Sequence, residues 1–419
     1  MVLDAVRHGH GGGVRLSQLS AGALAVNKPL IVHNHYLQRG GEDVVFETES
    51  ALLRDHGHQV LHYTLDNRAV AGMGAVSLFT KTLWNSATYR DLTRCIRDRK
   101  PDLVHFHNTF PLVSPSAYYA VKRAGLPVVQ TLHNYRLVCP EARFFRDGRV
   151  CELCLRKRIA WPAVRYGCYQ NSRPASAAVT AMLSLHHALG TWRTKVDRYI
   201  ALTEFARAKF CAGGLSPEKV AVKPNGLARD PGAGPGGGGY VLFAGRLSPE
   251  KGIDTLLDAW PHVPGKLSLK IAGDGPLVEM AAQRASALEH VEFLGQRTHD
   301  EVLDLMRHAE ALVVPSRWYE GFPMTVVEAF ATGLPVVASR LGGLTELIRH
   351  GETGLHFDAG NTAGLAAQIR QVCVHADHAG RMRAGARREF ERKYAARRNY
   401  ESLVEIYQAV LAEKRGRTA

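Results

Sequence analysis

Two series of short apolar segments, each alternating with longer helical patterns, constrain the fold of this chain more than any other feature. Continuous β-branched runs separated by helices are typical of parallel strands that are buried on both faces of a sheet. The chain is therefore predicted to be an α/β protein with two Rossmann-like, doubly wound domains that face a central cleft. The predicted strands lie at 30–32, 60–63, 103–107, 128–132 and 198–202 in the first series, and at 240–244, 267–272, 291–294, 311–314 and 336–339 in the second.

A Pro/Gly-rich stretch separates the two series, and its composition is that of a flexible linker or an exposed loop. The residues before the first strand include a glycine run and are interpreted as a disordered leader or an upstream start. The last helix is long and amphipathic, and we expect it to pack back on the first domain. The predicted regions are a leader at 1–27, a first Rossmann-like domain at 28–227, a linker at 228–239, a second Rossmann-like domain at 240–395 and a C-terminal helix at 396–419.

Composition narrows the range of partners. The formal net charge of +14 favours anionic partners such as a phosphorylated small molecule, an anionic membrane surface or nucleic acid. Nucleic acid ranks last, because the sequence has no zinc-finger spacing, RNA-binding signature or basic run interleaved with aromatic residues. No stretch approaches the roughly 18 apolar residues of a spanning helix. Seven cysteines without an export signal favour the cytoplasm, where we expect peripheral contact with the inner face of a membrane.

The segment from Glu320 to Glu328 carries the densest chemistry. It follows the predicted strand at 311–314, and Pro323 suits the first turn of a helix. The backbone N–H groups of Phe322-Pro323-Met324-Thr325 (all but the proline) would then point from a helix N-terminus into the cleft, where they can bind phosphate oxygens or sugar hydroxyls. Isolated glutamates are usually solvated, but here the flanking apolar residues and the turn favour two glutamates that accept hydrogen bonds from a sugar and a ribose.

A second group of charged residues follows the first strand of the second domain, in the segment Gly245–Gly252. Arg246 offers a forked, permanently charged contact to phosphate, and Lys251 a point charge. A departing nucleoside diphosphate gains negative charge and requires such compensation. Because the sequence has no Asp-x-Asp motif to hold a divalent ion, these two cations are natural substitutes for a metal. The alternative is that either residue is a solvated loop charge.

The first domain contains a weaker set of candidates. Gly40 and Gly41 follow its first strand and open a helix, which would let the backbone approach a phosphate or an acceptor. A lone Gly-Gly pair could equally form only a turn, and the dinucleotide fingerprint is absent. His105, His107 and His133 lie at or just past strand ends, where an imidazole can donate a hydrogen bond or accept a proton. His133 is the best placed of the three.

A cysteine-containing insertion at 139–168 interrupts the first domain. Cys139, Cys151, Cys154 and Cys168 form a C-x11-C-x2-C-x13-C pattern, and four thiolates can hold a structural zinc ion tetrahedrally. The first spacing is unusual and free buried cysteines are common, so four structural thiols are the alternative.

Taken together, the motifs resemble those of the retaining glycosyltransferases of the GT-B fold, in the large class called family four or group 1. The likeness covers roughly residues 29–410. The motifs that carry it occur in this order: Gly40-Gly41, Val104-His105-Phe106-His107, Thr131-Leu132-His133, Pro224-Asn225-Gly226, Gly245-Arg246 through Lys251-Gly252, Gly273-Asp274-Gly275-Pro276, and the E-x7-E pair Glu320 and Glu328.

The resemblance implies that Arg246 and Lys251 hold the diphosphate of a nucleotide sugar, and that Glu328 binds its ribose. Glu320, together with the amides at 322–325, would hold the sugar. The second domain would therefore bind the nucleotide sugar, which is a UDP- or GDP-linked hexose.

The same resemblance places the acceptor on the first domain. His133 would lie close to the transferred sugar and the acceptor, with Gly40 and Gly41 on the phosphate or acceptor side. The implied reaction needs no catalytic cofactor or metal, keeps the anomeric configuration and glycosylates a saccharide or lipid-linked acceptor in cell-surface polysaccharide or glycolipid synthesis. The cysteine insertion is not part of the general family pattern.

Two other classes of function remain open at this stage. An epimerase or a phosphorylase can share the same fold, although the sequence shows no clear case for the groups that either needs. A catalytically silent nucleotide-sugar-binding protein is the second alternative. The intact set of Arg246, Lys251, Glu320 and Glu328 favours an enzyme.

Overall fold

The computed structural model describes residues 26–37, 40–263, 265, 267–374 and 376–418. The predicted leader therefore lies outside the described residues, apart from Val26 and Asn27. Among the helices of these ranges, none combines the length and apolar character needed to cross a bilayer.

The first domain contains one six-stranded sheet and a small hairpin. Its strands are β1 Pro29–His35, β2 Leu61–Asp66, β3 Leu103–Phe106, β4 Val128–Leu132, β5 Phe145–Arg146, β6 Arg149–Val150, β7 Arg198–Ala201 and β8 Val220–Val222. Its helices are α1 Gly41–Asp55, α2 Ala75–Leu83, α3 Ser86–Arg99, α4 Ser116–Arg123, α5 Trp161–Tyr166, α6 Arg173–Ala188, α7 Thr191–Thr194 and α8 Glu204–Ala212.

The sheet of the first domain has the order β2-β1-β3-β4-β7-β8, and all its strand pairs are parallel. Its central strands β3 and β4 are buried along their whole length. Helices cover both faces, because continuous apolar strands must be shielded from water on each side.

The second domain repeats this architecture. Its strands are β9 Tyr240–Ala244, β10 Ser268–Ala272, β11 Val291–Gly295, β12 Ala311–Val314, β13 Val336–Ser339 and β14 Gly354–Phe357. Its helices are α9 Ile253–Ala259, α10 Val278–Ser286, α11 His299–His308, α12 Met324–Ala331, α13 Leu344–Leu347, α14 Thr362–Val374 and α15 Ala376–Glu389. The strand order is β11-β10-β9-β12-β13-β14, again with parallel pairs throughout. Two Rossmann-like domains are thus confirmed.

Three strand features were missed by the sequence pattern. The edge strand β8 has only three residues, and β14 has the sequence Gly-Leu-His-Phe, so neither gives a clear apolar run. The hairpin of β5 and β6 has two residues per strand and lies inside the cysteine insertion.

The Pro/Gly stretch at 228–239 is a loop that lies along the second domain. The N–H groups of Gly234, Gly236 and Gly238 each donate a hydrogen bond of 2.9 Å to backbone carbonyls of that domain. Of the two interpretations of this stretch, the structure favours the exposed loop over the free linker.

The C-terminal helix α16, Ala396–Thr418, returns to the first domain. Its Leu403, Tyr407 and Val410 share an apolar cluster with Ile31 of β1. The Tyr407 hydroxyl lies 2.7 Å from Nδ1 of His105, and Arg198 of β7 forms an ion pair with the helix. The chain thus crosses between the domains twice.

Candidate active site

The loops that follow β9 and β10 pack against each other through glycines. A Cβ atom on Gly273 would lie 1.9 Å from the carbonyl oxygen of Gly245, and one on Gly275 would lie 2.5 Å from that of Leu247. The N–H of Leu247 also donates to the Asp274 carbonyl at 2.8 Å. Only glycine allows this approach, which holds the first loop in place at the carboxyl end of the sheet.

Arg246 lies in the first of these loops with an exposed side chain. Across the described ranges its guanidinium has neither an ion pair nor a hydrogen bond. The forked group is therefore available to an anion from the cleft.

Lys251, at the end of the same loop, forms an ion pair with Glu320. Its Nζ lies 2.9 and 3.0 Å from the two carboxylate oxygens, and Ser316 donates a further hydrogen bond to Glu320. Gly252 makes this pairing possible, because its φ of +70° and its missing side chain let the loop pass the Pro315 carbonyl. Glu320 is only 3% exposed, so its negative charge is balanced by the neighbouring lysine.

Helix α12 begins beside this ion pair. Pro323 is its N-cap residue, and Met324 and Thr325 are its first residues. First-turn N–H groups have no partner within a helix and carry partial positive charge. Glu328 lies in the second turn, 3.8 Å from the His299 ring. Burial raises the pKa of Glu328, and the nearby His299 partly opposes this shift.

His133 approaches the same point from the first domain. It follows β4, and a Cβ atom on Gly321 would lie 2.6 Å from its carbonyl oxygen. Tyr135 donates a hydrogen bond of 3.5 Å to the Glu320 carbonyl. The fold therefore brings His133, Glu320 and Lys251 together where the two domains meet.

The His133 side chain lines a pocket in the first domain. The pocket also includes Asn108, Phe110, Asn134 and Arg136. Burial lowers the pKa of His133 to about 3, so the imidazole is neutral at physiological pH.

The Gly40-Gly41 turn opens α1 near this pocket, while Gln38 and Arg39 are outside the described residues. The Gly40 N–H donates to Asp43 at 2.9 Å, and Asp43 also contacts His33 at 2.9 Å and His35 at 3.1 Å. Burial raises the pKa of Asp43, but these hydrogen bonds outweigh it and hold the pKa at about 2.

Glu42, which was not among the predicted site residues, connects this turn to Asn134, the residue after His133. It accepts hydrogen bonds from Asn134 at 2.7 Å and from Tyr36 at 2.8 Å. Burial raises the pKa of Glu42, against the effect of both hydrogen bonds. An acid in the first turn of a glycine-opened helix was the available sequence signal.

Glu49 and Lys223 were also missed, although they are only 1% and 2% exposed. Their charged groups lie 2.6 Å apart. A glutamate within a helix and a lysine before a proline are ordinarily expected to be solvent-exposed. The one available hint was that Glu49 follows Phe46 on the apolar side of α1.

Two groups in the described part of the chain bring three metal-ligating atoms within 4.8 Å of one another. In the first, Asp43 is hydrogen-bonded to both histidines of the group. In the second, made of Glu49, His105 and His107, both nitrogens of His105 are hydrogen-bonded to Tyr407 and Thr131. The ammonium of Lys223 already balances Glu49, so this group is a salt-bridged network rather than a cation site.

The four cysteines of the insertion lie close enough to influence one another electrostatically. Burial, with the other three thiols adding to it, raises the pKa of Cys154 to about 12, and burial with Cys139 and Cys151 raises that of Cys168 to about 11. Burial raises the pKa of Cys139, and the nearby backbone N–H groups of 141–144 partly oppose this shift. Neither of the two tight groups of ligand atoms includes a cysteine.

Two family models match consecutive parts of the chain. The model described as Glycosyltransferase Family 4 matches residues 38–230, and the model described as Glycosyl transferases group 1 matches residues 228–389. Their junction lies at the start of the Pro/Gly loop.

Two curated relatives are about a third identical to the chain over the aligned segments. A glycogen synthase of Mycobacterium tuberculosis is 35% identical over 197 residues, which is 45% of each chain. A phosphatidyl-myo-inositol mannosyltransferase of Mycobacterium leprae is 35% identical over 189 residues, 42% of this chain and 50% of that protein. The chain spans about half the length of the curated relatives it matches.

Solved structures show the same fold over nearly the whole chain. Anabaena HepE in complex with UDP and glucose has a TM-score of 0.65 at 19% identity and covers 91% of this chain and 99% of its own. A sucrose-phosphate synthase of Thermosynechococcus elongatus has a TM-score of 0.67 at 17% identity, over 92% and 100%. The expected GT-B fold is confirmed.

Proposed function

Because the chain belongs to the group 1 and family 4 glycosyltransferases of the GT-B fold, we propose that it transfers a hexose from a UDP- or GDP-linked sugar to a saccharide or lipid-linked acceptor. The anomeric configuration is retained, and the product is a cell-surface polysaccharide or glycolipid. The observation that carries this proposal is the meeting of Lys251, Glu320 and His133 between the two domains, with the exposed side chain of Arg246 in the same loop as Lys251.

Arg246 and Lys251 hold the diphosphate in this proposal. As the bond from the sugar to the phosphate breaks, the leaving group gains negative charge, and fixed cations in a water-poor cleft stabilise it. Arg246 offers two parallel N–H donors, and the first turn of α12 adds positive potential near the ion pair of Lys251 and Glu320. In this proposal the two cations take the place of a metal ion.

Glu320 and the amides of Phe322, Met324 and Thr325 hold the sugar. A carboxylate has about four acceptor sites, of which Lys251 and Ser316 use three. The remaining site can accept from a sugar hydroxyl. Glu328 lies in the second turn of α12 with a side chain that is 12% exposed, and it is placed to accept a hydrogen bond from the ribose.

The reaction proceeds on one face of the sugar. The acceptor oxygen bonds to the anomeric carbon, the bond from that carbon to the phosphate oxygen breaks, and the acceptor's proton passes to the departing phosphate. His133 is neutral and has a pKa of about 3, so it suits hydrogen bonding rather than proton donation. In this proposal Gly40 and Gly41 line the phosphate or acceptor side.

We further propose that the first domain docks on the inner face of an anionic membrane. Val76 and Phe79 of α2, Trp161 of α5 and Leu185 of α6 are exposed, and α6 packs on both other helices. The basic run 156–158 lies beside α6. Apolar side chains next to basic ones suit an interface with anionic lipid. Co-sedimentation with phosphatidylglycerol vesicles but not phosphatidylcholine vesicles is expected; equal binding to both, or none, contradicts the proposal.

A screen of sugar donors tests the enzymatic proposal. The purified full chain is incubated with UDP- and GDP-hexoses, with and without EDTA, and the products are identified by mass spectrometry. One donor should raise the melting temperature and be consumed, with EDTA making no difference. Release of sugar-1-phosphate from a glycan when inorganic phosphate is added would point to a phosphorylase, and an epimer of the nucleotide sugar would point to an epimerase. If a folded sample binds none of the donors, the proposal is wrong.

A further inference from the structure

A buried network of polar side chains connects Lys223 to His133. Lys223 Nζ lies 2.6 Å from Oε1 of Glu49, whose Oε2 lies 3.4 Å from Nε2 of His107. Nδ1 of His107 lies 3.0 Å from Nε2 of His133. Since these groups are removed from water, their protein partners determine where the protons lie.

Glu49 determines which atoms of this network donate hydrogen bonds and which accept them. A carboxylate paired with an ammonium group accepts hydrogen bonds and donates none. Its Oε2 and the Nε2 of His107 form no hydrogen bond in the described ranges, so the contact of 3.4 Å between these two atoms is an electrostatic one. His107 must therefore carry its proton on Nε2, because a bare nitrogen there would leave two buried acceptors facing each other, which is unfavourable.

The protonation of His107 then determines the donor in its contact with His133. Burial, with the neighbouring His105, lowers the pKa of His107 well below its usual range, so the ring is neutral and has a single N–H. With that proton on Nε2, Nδ1 of His107 is an acceptor. The partner nitrogen, Nε2 of His133, must be the donor.

The remaining nitrogen of His133 is therefore unprotonated. Nδ1 makes no hydrogen bond within the described part of the chain and, unlike the Nε2 atom of His107, is not fully enclosed. His133 lines the pocket with Asn108 and Asn134. A bare ring nitrogen in that position can accept a hydrogen bond only from a group that has a proton to donate.

We propose that Lys223, Glu49 and His107 are positioning residues that hold His133 in its Nε2–H tautomer, so that Nδ1 accepts a hydrogen bond from a substrate hydroxyl. The hydroxyl belongs either to the transferred sugar or to the acceptor. This inference deepens the proposed function and rests on it only for the identity of the hydroxyl, since the tautomer is a property of the free protein.

Nitrogen-15 NMR of the full chain labelled at histidine tests the tautomer without any assay of activity. We expect His107 and His133 each to carry one proton, on Nε2. Glu49→Gln should reverse the direction of these hydrogen bonds. Because Lys223 can only donate, the amide oxygen of the glutamine should remain on Lys223, and its NH₂ group should then turn towards His107. Both rings should then carry their proton on Nδ1.

Glu47→Gln is the matched control, since Glu47 lies on the exposed side of the same helix, and it should leave both tautomers unchanged. A purely structural role for Glu49 would lower stability without moving the protons. The inference is overturned if His133 carries its proton on Nδ1 in the native protein, or if Glu49→Gln leaves both protons on Nε2.

Titration with UDP-glucose, GDP-mannose and a panel of methyl glycosides identifies the source of the hydroxyl. A shift of the His133 Nδ1 resonance with a nucleotide sugar assigns it to the transferred sugar, and a shift only with a glycoside assigns it to the acceptor. If the Nδ1 resonance is unchanged by all of them, the hydroxyl contact is wrong, whatever the donor screen shows.

Discussion

Arg246 and Lys251 occupy one loop but have different surroundings. Arg246 is exposed and unpaired across the described ranges, whereas Lys251 balances the buried carboxylate of Glu320. The same truncation should therefore act differently at the two positions, because only one of them leaves a buried charge without its partner.

Alanine at either position should lower kcat/KM by about 10- to 100-fold, which corresponds to one charge-assisted contact of about 1.5–3 kcal/mol. Added Mg²⁺ should not restore activity. Lys251→Ala should also lower the melting temperature, and Arg246→Ala should not. Arg284→Ala, which breaks a surface pair with Asp258, is the control. Full activity in the Arg246 variant would remove the diphosphate assignment.

Three buried histidines should make the fold sensitive to acid. Burial lowers the pKa values of His105, His107 and His133, while the unfolded chain titrates near 6.5. Below that pH the unfolded state binds protons that the folded state does not. The free energy of unfolding therefore decreases as the pH is lowered, by up to about 1.4 kcal/mol per pH unit for each histidine. Urea unfolding at pH 7.5, 6.5 and 5.5 measures the slope. His262→Asn, at an exposed site, should leave it unchanged, and a flat profile contradicts the prediction.

The insertion at 139–168 contains little regular secondary structure. It consists of loops, the small hairpin of β5 and β6, and the six-residue helix α5. A segment of this kind gains stability from a cross-link or a metal ion. Its four thiols lie close enough for Cys139, Cys151 and Cys168 to raise the pKa of Cys154.

We predict one tightly bound zinc ion per chain, with the loops closing until each sulfur lies about 2.3 Å from the metal. Elemental analysis of protein purified without metal resins measures it, and chelation should lower the melting temperature. Cys154→Ser should lose the ion, while Cys373→Ser in the second domain should keep it. Protein that contains no zinc and whose melting is indifferent to chelators would show four structural thiols instead.

At the scale of the whole molecule, α16 joins the two domains after the second sheet is complete. It places Tyr407 against His105 in the core of the first domain. The C-terminal segment therefore contributes to the position of the first domain, on which the geometry of the cleft depends.

Tyr407→Phe should lower the free energy of unfolding by about 1–3 kcal/mol, because a buried nitrogen of His105 loses its partner. Tyr400→Phe removes a comparable contact of 2.9 Å to His58 at a partly exposed position and should cost less. Urea denaturation of both variants measures the difference. Equal losses would mean that the burial of His105 does not set the cost.

The sequence by itself determined the two sheets, the site loops and the family, because strand and helix periods, capping prolines and turn glycines act over a few neighbouring residues. It placed Arg246, Lys251, Glu320, Glu328 and His133 at strand or helix ends without pairing them. Only the tertiary structure joined Lys251 to Glu320, and Glu49 to Lys223 across 174 positions. Such pairs depend on how two sheets and the returning helix pack. Burial then decides which charges must be balanced and where each proton lies.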